Sequence, residues 1–118
     1  MLTLINTARR KKNRPLLTLD YRLGLAAKDH SDSMAKHGYF AHRGRDGSNF
    51  QMRMKRHGYP LSHSAENLAK ARDASTVFQM WSDSKGHRVN MMNKKYTRVG
   101  IVRTGDYWTA NFSAPAGT

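Results

Sequence analysis

The sequence predicts a single α+β domain, helices around a small antiparallel sheet, and three observations carry that prediction. Apolar residues recur at helical spacing in several separate segments from Leu2 to Trp81. The stretch "RVGIVRTGDYWTANFS" near the end changes period, with β-rich residues on both sides of a glycine-containing turn. No repeat, low-complexity run or linker divides the 118 residues, so one domain spans 1–118. Folding a chain of this length buries roughly 65% of the surface its unfolded form exposes, enough for a core without disulfides or metal.

Residues 2 to 12 read as a short helix ending near Asn13, with Arg14–Pro15 as the breaker. Thr18 or Asp20 caps a longer second helix, in which Leu19, Leu23, Ala26, Ala27, His30 and Met34 follow the 3.6-residue period. Gly38 stops it. "HRGRDGSNF" is a loop with an Asp-Gly turn. Ser48 caps a third helix carrying Phe50 and Met54, which ends at Gly58. A fourth helix runs from about Ser75 to Trp81, with Val77, Phe78, Met80 and Trp81 as its apolar side, and "SKGHRVNMM" adds a short turn capped by Ser84. "AENLA" fits either a third strand or a loop.

Composition narrows the chemistry. With no cysteine there is no disulfide framework, thiolate nucleophile or thiolate zinc site. The N-terminus "MLTLINTARR" reaches charge too soon for a signal peptide, and no apolar run approaches membrane-spanning length. The chain is then either cytoplasmic or a mature fragment whose leader has been removed. Its 21 Lys and Arg against 8 acids give a net charge of +13, which favours polyanions such as nucleic acid, anionic lipid or acidic cell-wall polymer. "RRKKNR" at 9–14 is the densest basic run, with smaller groups at Arg43/Arg45, Arg53/Lys55/Arg56 and Lys94/Lys95/Arg98. No helix-turn-helix, zinc-finger or RNA-binding aromatic motif is present, so no specific nucleic-acid partner is expected.

His42, Glu66 and His87 stand apart as site candidates. Glu66 is the only glutamate in the chain and sits among small and apolar residues in "SHSAENLAKA". Two imidazoles and a carboxylate can hold a divalent metal, or form an acid/base set in which the carboxylate fixes one imidazole's tautomer. Their wide spacing matches no helical metal motif. His30 falls on an apolar helix face as a core residue, His37 and His57 near helix C-termini where imidazolium suits the dipole, and His63 in a polar loop. Ser84, three residues before His87, lacks a nucleophile-elbow pattern and reads as an N-cap.

These residues also carry a resemblance. "FAH", "AENLA" and the "W..S.GHR.N" pattern, in this order and spacing, resemble the CAP superfamily of cysteine-rich secretory, antigen 5 and pathogenesis-related 1 proteins (SCP domains), in its compact bacterial form. The matching segments span nearly the whole chain. The resemblance implies an α-β-α sandwich with a small central antiparallel sheet and a cleft lined by two histidines, matched by His42 and His87, and by an acid, matched by Glu66. It implies that His42 and His87 can bind zinc or another divalent cation. The family's larger members have a second acid where this chain has Ser84. The implied location is secreted, periplasmic or cell-envelope, with the leader absent from this chain.

Two functions follow as expectations. One is an extracytoplasmic binding module, a monomer, whose His/Glu-lined cleft takes a divalent metal or small ligand and whose basic surface meets anionic lipid or cell-wall polymer. The alternative is a metal-assisted, protease-like hydrolase in which His42 and His87 hold Zn²⁺ and Glu66 acts as base.

Overall fold

The computed structural model describes all 118 residues. Asp20 starts the longest helix: its carboxylate accepts from the backbone N–H of Arg22 and Leu23, opening α2 (Tyr21–His37), and Gly38 closes it in the left-handed region at φ 66°. Before it come α1 (Leu2–Lys11) and the two-residue β1 (Thr18–Leu19). Thr18 and Leu19 are therefore strand residues, and Leu19 is exposed instead of sitting on the α2 apolar face. α3 covers Phe50–Arg56, β2 Ser64–Lys70, α4 Ala74–Asp83 and α5 Lys85–Met92. β3 (Arg98–Thr104) and β4 (Tyr107–Ser113) close the chain as a hairpin across Gly105–Asp106.

The strand order is β1-β3-β4-β2. β3–β4 and β4–β2 pair antiparallel over seven residues each, while β1 pairs parallel with Arg98 and Val99 of β3. The sheet is thus mixed, because the connection from α1 brings the chain in beside β3 in the same direction. "AENLA" is a full strand, all seven of its residues 64–70 in register with β4.

α2 and α3 cover one face, with Leu23, Ala26, Met54 and Tyr59 packed together. α1, α4 and α5 cover the other, where Ile5, Val77, Trp81 and Met91 meet Val99, Trp108, Ala110 and Phe112. Each such large apolar side chain, fully buried, contributes about 1.5–3 kcal/mol. Alternation along β4 sends Trp108, Ala110 and Phe112 into this larger core and Thr109, Asn111 and Ser113 toward α2. Gly100 makes the α2 packing feasible: a Cβ there would lie 2.1 Å from the backbone carbon of Leu23. Met80, expected on the apolar side of α4, is 43% exposed, since the buried stripe runs through Val77 and Trp81.

The capping of the later helices also differs from expectation. Asn49, not Ser48, caps α3 by accepting from Met52 N–H at 2.8 Å. Ser48 is buried and bonded to Arg53 instead. Asp73 caps α4. Ser84 occupies the N-cap position of α5, yet its hydroxyl bonds to His87 and not to the helix backbone.

Candidate functional site

Glu66 and Asn67 are consecutive on β2, the edge strand of the sheet, so their side chains leave on opposite faces. Glu66 points toward α3 and the 39–49 loop, and Asn67 toward α5. The site straddles the strand edge.

On the Glu66 side, the carboxylate is fully buried and ringed by donors. Oε1 accepts from His42 Nδ1 at 2.9 Å and from Arg53 Nη2 at 3.2 Å. Oε2 accepts from Arg53 Nη2 at 2.9 Å and from Asn111 Nδ2 at 3.0 Å. Burial pushes the Glu66 carboxyl pKa up, but the His42 bond, the Arg53 charge and the Asn111 and Arg53 bonds outweigh it and hold it below its ordinary value. Glu66 is ionised at neutral pH, and its roughly four lone-pair positions are all used.

An ionised carboxylate only accepts, so His42 Nδ1 carries the proton. In the neutral imidazole Nε2 is then the bare nitrogen, on a side chain 59% exposed. The His42 backbone is fixed as well, its carbonyl accepting from Arg53 Nη2 at 3.0 Å. Arg53 Nη1 donates to the Ser48 carbonyl and hydroxyl. Arg53, 2% exposed, therefore clamps the loop, β2 and α3 together. The loop's own turn helps: Asp46 accepts from Ser48 N–H at 3.0 Å, and its bonds to Ser48 lower its pKa to about 2.

On the Asn67 side, Nδ2 donates to the His87 carbonyl at 3.1 Å, and Oδ1 accepts from Asn90 Nδ2 at 2.9 Å. The α5 backbone is thereby tied to the residue next to Glu66. His87 Nδ1 lies 2.9 Å from Ser84 Oγ. Burial and then the charge of His42 lower the His87 pKa. A hydroxyl can donate or accept, so Ser84 holds the His87 ring without dictating its tautomer; a carboxylate there would dictate it. His42, Glu66, Asn90 and Tyr96 line one cleft of about 680 Å³.

Of the three predicted residues, His42 and Glu66 meet directly at the β2 edge. His87 is tied to that edge only through its backbone carbonyl on Asn67, and its ring is not part of the lining of the 680 Å³ cleft. No three His, Asp or Glu side chains form a metal-binding group, and the Glu66 oxygens are already engaged by His42, Arg53 and Asn111. Two imidazoles, His42 and His87, are the only protein donors that such a site would have for a divalent ion. They do not supply the three protein ligands of a catalytic zinc centre.

The other histidines divide. His30 is buried and bonds to the Ala41 carbonyl at 2.6 Å, as a core histidine should. His57 bonds to Asp29 at 2.5 Å, so a carboxylate and not the dipole is its partner. His37 Nδ1 accepts from Arg45, and burial and then neighbouring Arg45 and Lys36 lower its pKa, against an imidazolium at that helix end. Arg53, Asn111, Asn67 and Asn90 were not predicted. Arg53 had a legible signal: Phe50, Arg53 and Met54 share one helical face, which puts a cation on an apolar stripe.

Known proteins agree with this architecture. The uncharacterized protein YkwD of Bacillus subtilis (strain 168) is 34% identical over 116 residues, covering 95% of this chain and 45% of YkwD. The crystal structure of an extracellular SCP-domain protein from Bacillus anthracis str. Ames superposes with a TM-score of 0.86 at 31% identity, over 93% of this chain and 37% of that one. An outer surface protein from Borrelia burgdorferi shares the fold, with a TM-score of 0.90 at 20% identity over 97% of this chain and 89% of its own. The chain spans less than half the length of YkwD and of the Bacillus anthracis protein. The model of the cysteine-rich secretory protein family, CAP, matches residues 2–112, and the chain belongs to that family.

Proposed function

We propose that the chain is an extracytoplasmic binding module, acting as a monomer, whose cleft takes a divalent metal or small ligand at His42 and His87. Its basic surface faces anionic components of the envelope. The observation that carries this reading is the saturation of Glu66: a carboxylate with every acceptor position occupied orients an imidazole and is not free to take a proton from water. That argues against the hydrolase alternative with Glu66 as base. Similar proteins described as extracellular and outer-surface support the location, and no helix is long and apolar enough to cross a membrane.

His42 and His87 would hold the metal, Glu66 and Ser84 would orient the two rings, and a bound divalent ion would supply Lewis-acid polarisation to an oxygen ligand. The test is calorimetric titration of Zn²⁺ into metal-free protein near neutral pH, beside a His42→Ala/His87→Ala variant. Saturable one-to-one binding that the variant loses is expected. Absence of binding, or equal binding by the variant, overturns the cleft. Glu66→Gln separates the two functions. The orienting role predicts about 10–100-fold weaker metal affinity in that variant, whereas a base role predicts lost turnover with affinity intact.

A further inference from the structure

Residues 1–19 and 84–105 contain no acid at all, and the fold packs them together. Arg9 makes the junction. It is fully buried, and donates to the carbonyls of Pro15 at 2.6 Å, Met91 at 2.7 Å, Asn93 at 3.2 Å and Tyr96 at 2.7 Å. Arg14 Nε adds a bond to the Met92 carbonyl at 3.1 Å. The end of α1 is thereby fastened to the end of α5. Arg10, Lys11, Lys12 and Arg14 come to lie beside Lys94 and Lys95, all six exposed and none in an ion pair.

Cations near helix C-termini answer the helix dipole, but that need is local and small. Arg9 and Arg14 already bond the α5 carbonyls. Six like charges without a nearby acid repel one another, and a dense anionic partner relieves that repulsion. The adjoining surface points to which partner. Leu16, Leu19 and Tyr21 follow directly in the chain and are 44%, 61% and 80% exposed. β1 runs parallel to β3, with Thr18 opposite Arg98 and Leu19 opposite Val99, so this apolar strip carries on from the basic stretch along the sheet edge. A linear polyanion gains little from a pair of exposed leucines. The interface of a lipid bilayer accommodates them, and clusters of four to eight cations beside apolar anchors are how peripheral proteins hold an anionic leaflet.

We propose that the face formed by Arg10, Lys11, Lys12, Arg14, Lys94 and Lys95, with Leu16, Leu19 and Tyr21 at its border, docks the domain on an anionic lipid bilayer. The inference rests on the reading of the chain as an envelope binding module and assigns the partner and the face. It does not depend on the cleft.

The test is co-sedimentation of the full chain with vesicles of equal parts phosphatidylglycerol and phosphatidylcholine, against pure phosphatidylcholine, at about physiological ionic strength. The wild type binds the anionic vesicles only. Each cation near an anionic surface is worth about fivefold in partition. The K11Q/K12Q/K94Q/K95Q variant therefore loses at least about a hundredfold, while K36Q/K55Q/R56Q/R72Q, of identical net charge, loses less than about tenfold. L19S/Y21S, with every charge kept, loses about fivefold or more. Circular dichroism confirms that each variant is folded. The His42→Ala/His87→Ala variant binds vesicles like the wild type, so a failed cleft leaves this result standing. Equal losses in the two quadruple variants would show that net charge and not this face is responsible, and would overturn the proposal. So would unaltered binding by L19S/Y21S together with equally tight binding to polyphosphate, which would name a polymer as the partner.

Discussion

Glu66→Gln is the perturbation that bears most directly on how the site is built. The substitution keeps shape and removes charge, leaving Arg53, 2% exposed, with only neutral partners: the carbonyls of His42 and Ser48 and the Ser48 hydroxyl. Breaking a buried ion pair by removing one partner costs about 3–5 kcal/mol. Here the upper half of that range applies, because the new amide N–H₂ must face another donor, either Arg53 Nη2 or His42 Nδ1–H. A loss of about 4 kcal/mol is a large share of the roughly 5–15 kcal/mol that holds a domain together. The assay is urea unfolding of wild type, Glu66→Gln, Arg53→Met and the double variant near neutral pH. The double variant should recover about 2 kcal/mol or more relative to the sum of the singles. The pH dependence has a fixed sign. The folded-state pKa of Glu66 lies below its ordinary 4.5, so its stabilisation is complete above that value and is lost as pH falls through the folded-state pKa. Acid should therefore weaken the wild type more steeply than Glu66→Gln. A single-variant loss under about 1 kcal/mol, or strictly additive singles, would refute the reasoning.

Two further outcomes follow from the packing and the histidines. Gly100→Ala places a Cβ 2.1 Å from Leu23 C and 2.3 Å from Gly24 N, both backbone atoms that cannot rotate away. It should cost about 3 kcal/mol, the top of the usual overpacking range, seen as a lowered urea midpoint; a change under about 1 kcal/mol would mean that α2 slides freely on β3. His30 and His87 both have pKa values below the ordinary 6.5, His30 through burial and then the Arg53 charge, His87 through burial and then His42. The folded state then binds fewer protons than the unfolded state, and stability falls as pH drops below about 6.5 through the folded-state values. Thermal midpoints measured from about pH 7.5 to 5.5 should decline, less so in His87→Ala, and a flat profile would contradict the shifts.

The lone glutamate was legible because the rest of the chain holds only aspartates, and its apolar setting in "SAENLA" was a sign of burial. The helices were legible from their periods and the hairpin from its turn. The rest was hidden for one physical reason: a long cation in a basic run looks the same in sequence whether it is solvated or buried. Arg9 lies in a basic run and Arg53 in a basic cluster, and both are buried hubs. Each lies on the apolar face of its helix, Arg9 in line with Leu2 and Ile5, Arg53 with Phe50 and Met54. Such a cation requires carbonyls or a carboxylate in the core, and here Arg9 finds carbonyls and Arg53 finds Glu66. Local pattern had no means of showing β1, whose two residues are a strand only because β3 lies beside them. Nor could it show that Ser84 would turn from the α5 backbone to His87, since capping and ring-holding ask for the same hydroxyl.

Two imidazoles, each held at its Nδ1 atom, one by a carboxylate and one by a hydroxyl, are the centre of the proposed function. A long-range ¹H–¹⁵N correlation spectrum of the histidine rings, recorded without metal and then with one equivalent of Zn²⁺, tests this most directly. His42 should be the Nδ1–H tautomer in the metal-free protein, and Nε2 of His42 and of His87 should shift together when zinc is added. A His42 ring protonated at Nε2, or zinc shifts confined to one of the two histidines, would contradict it.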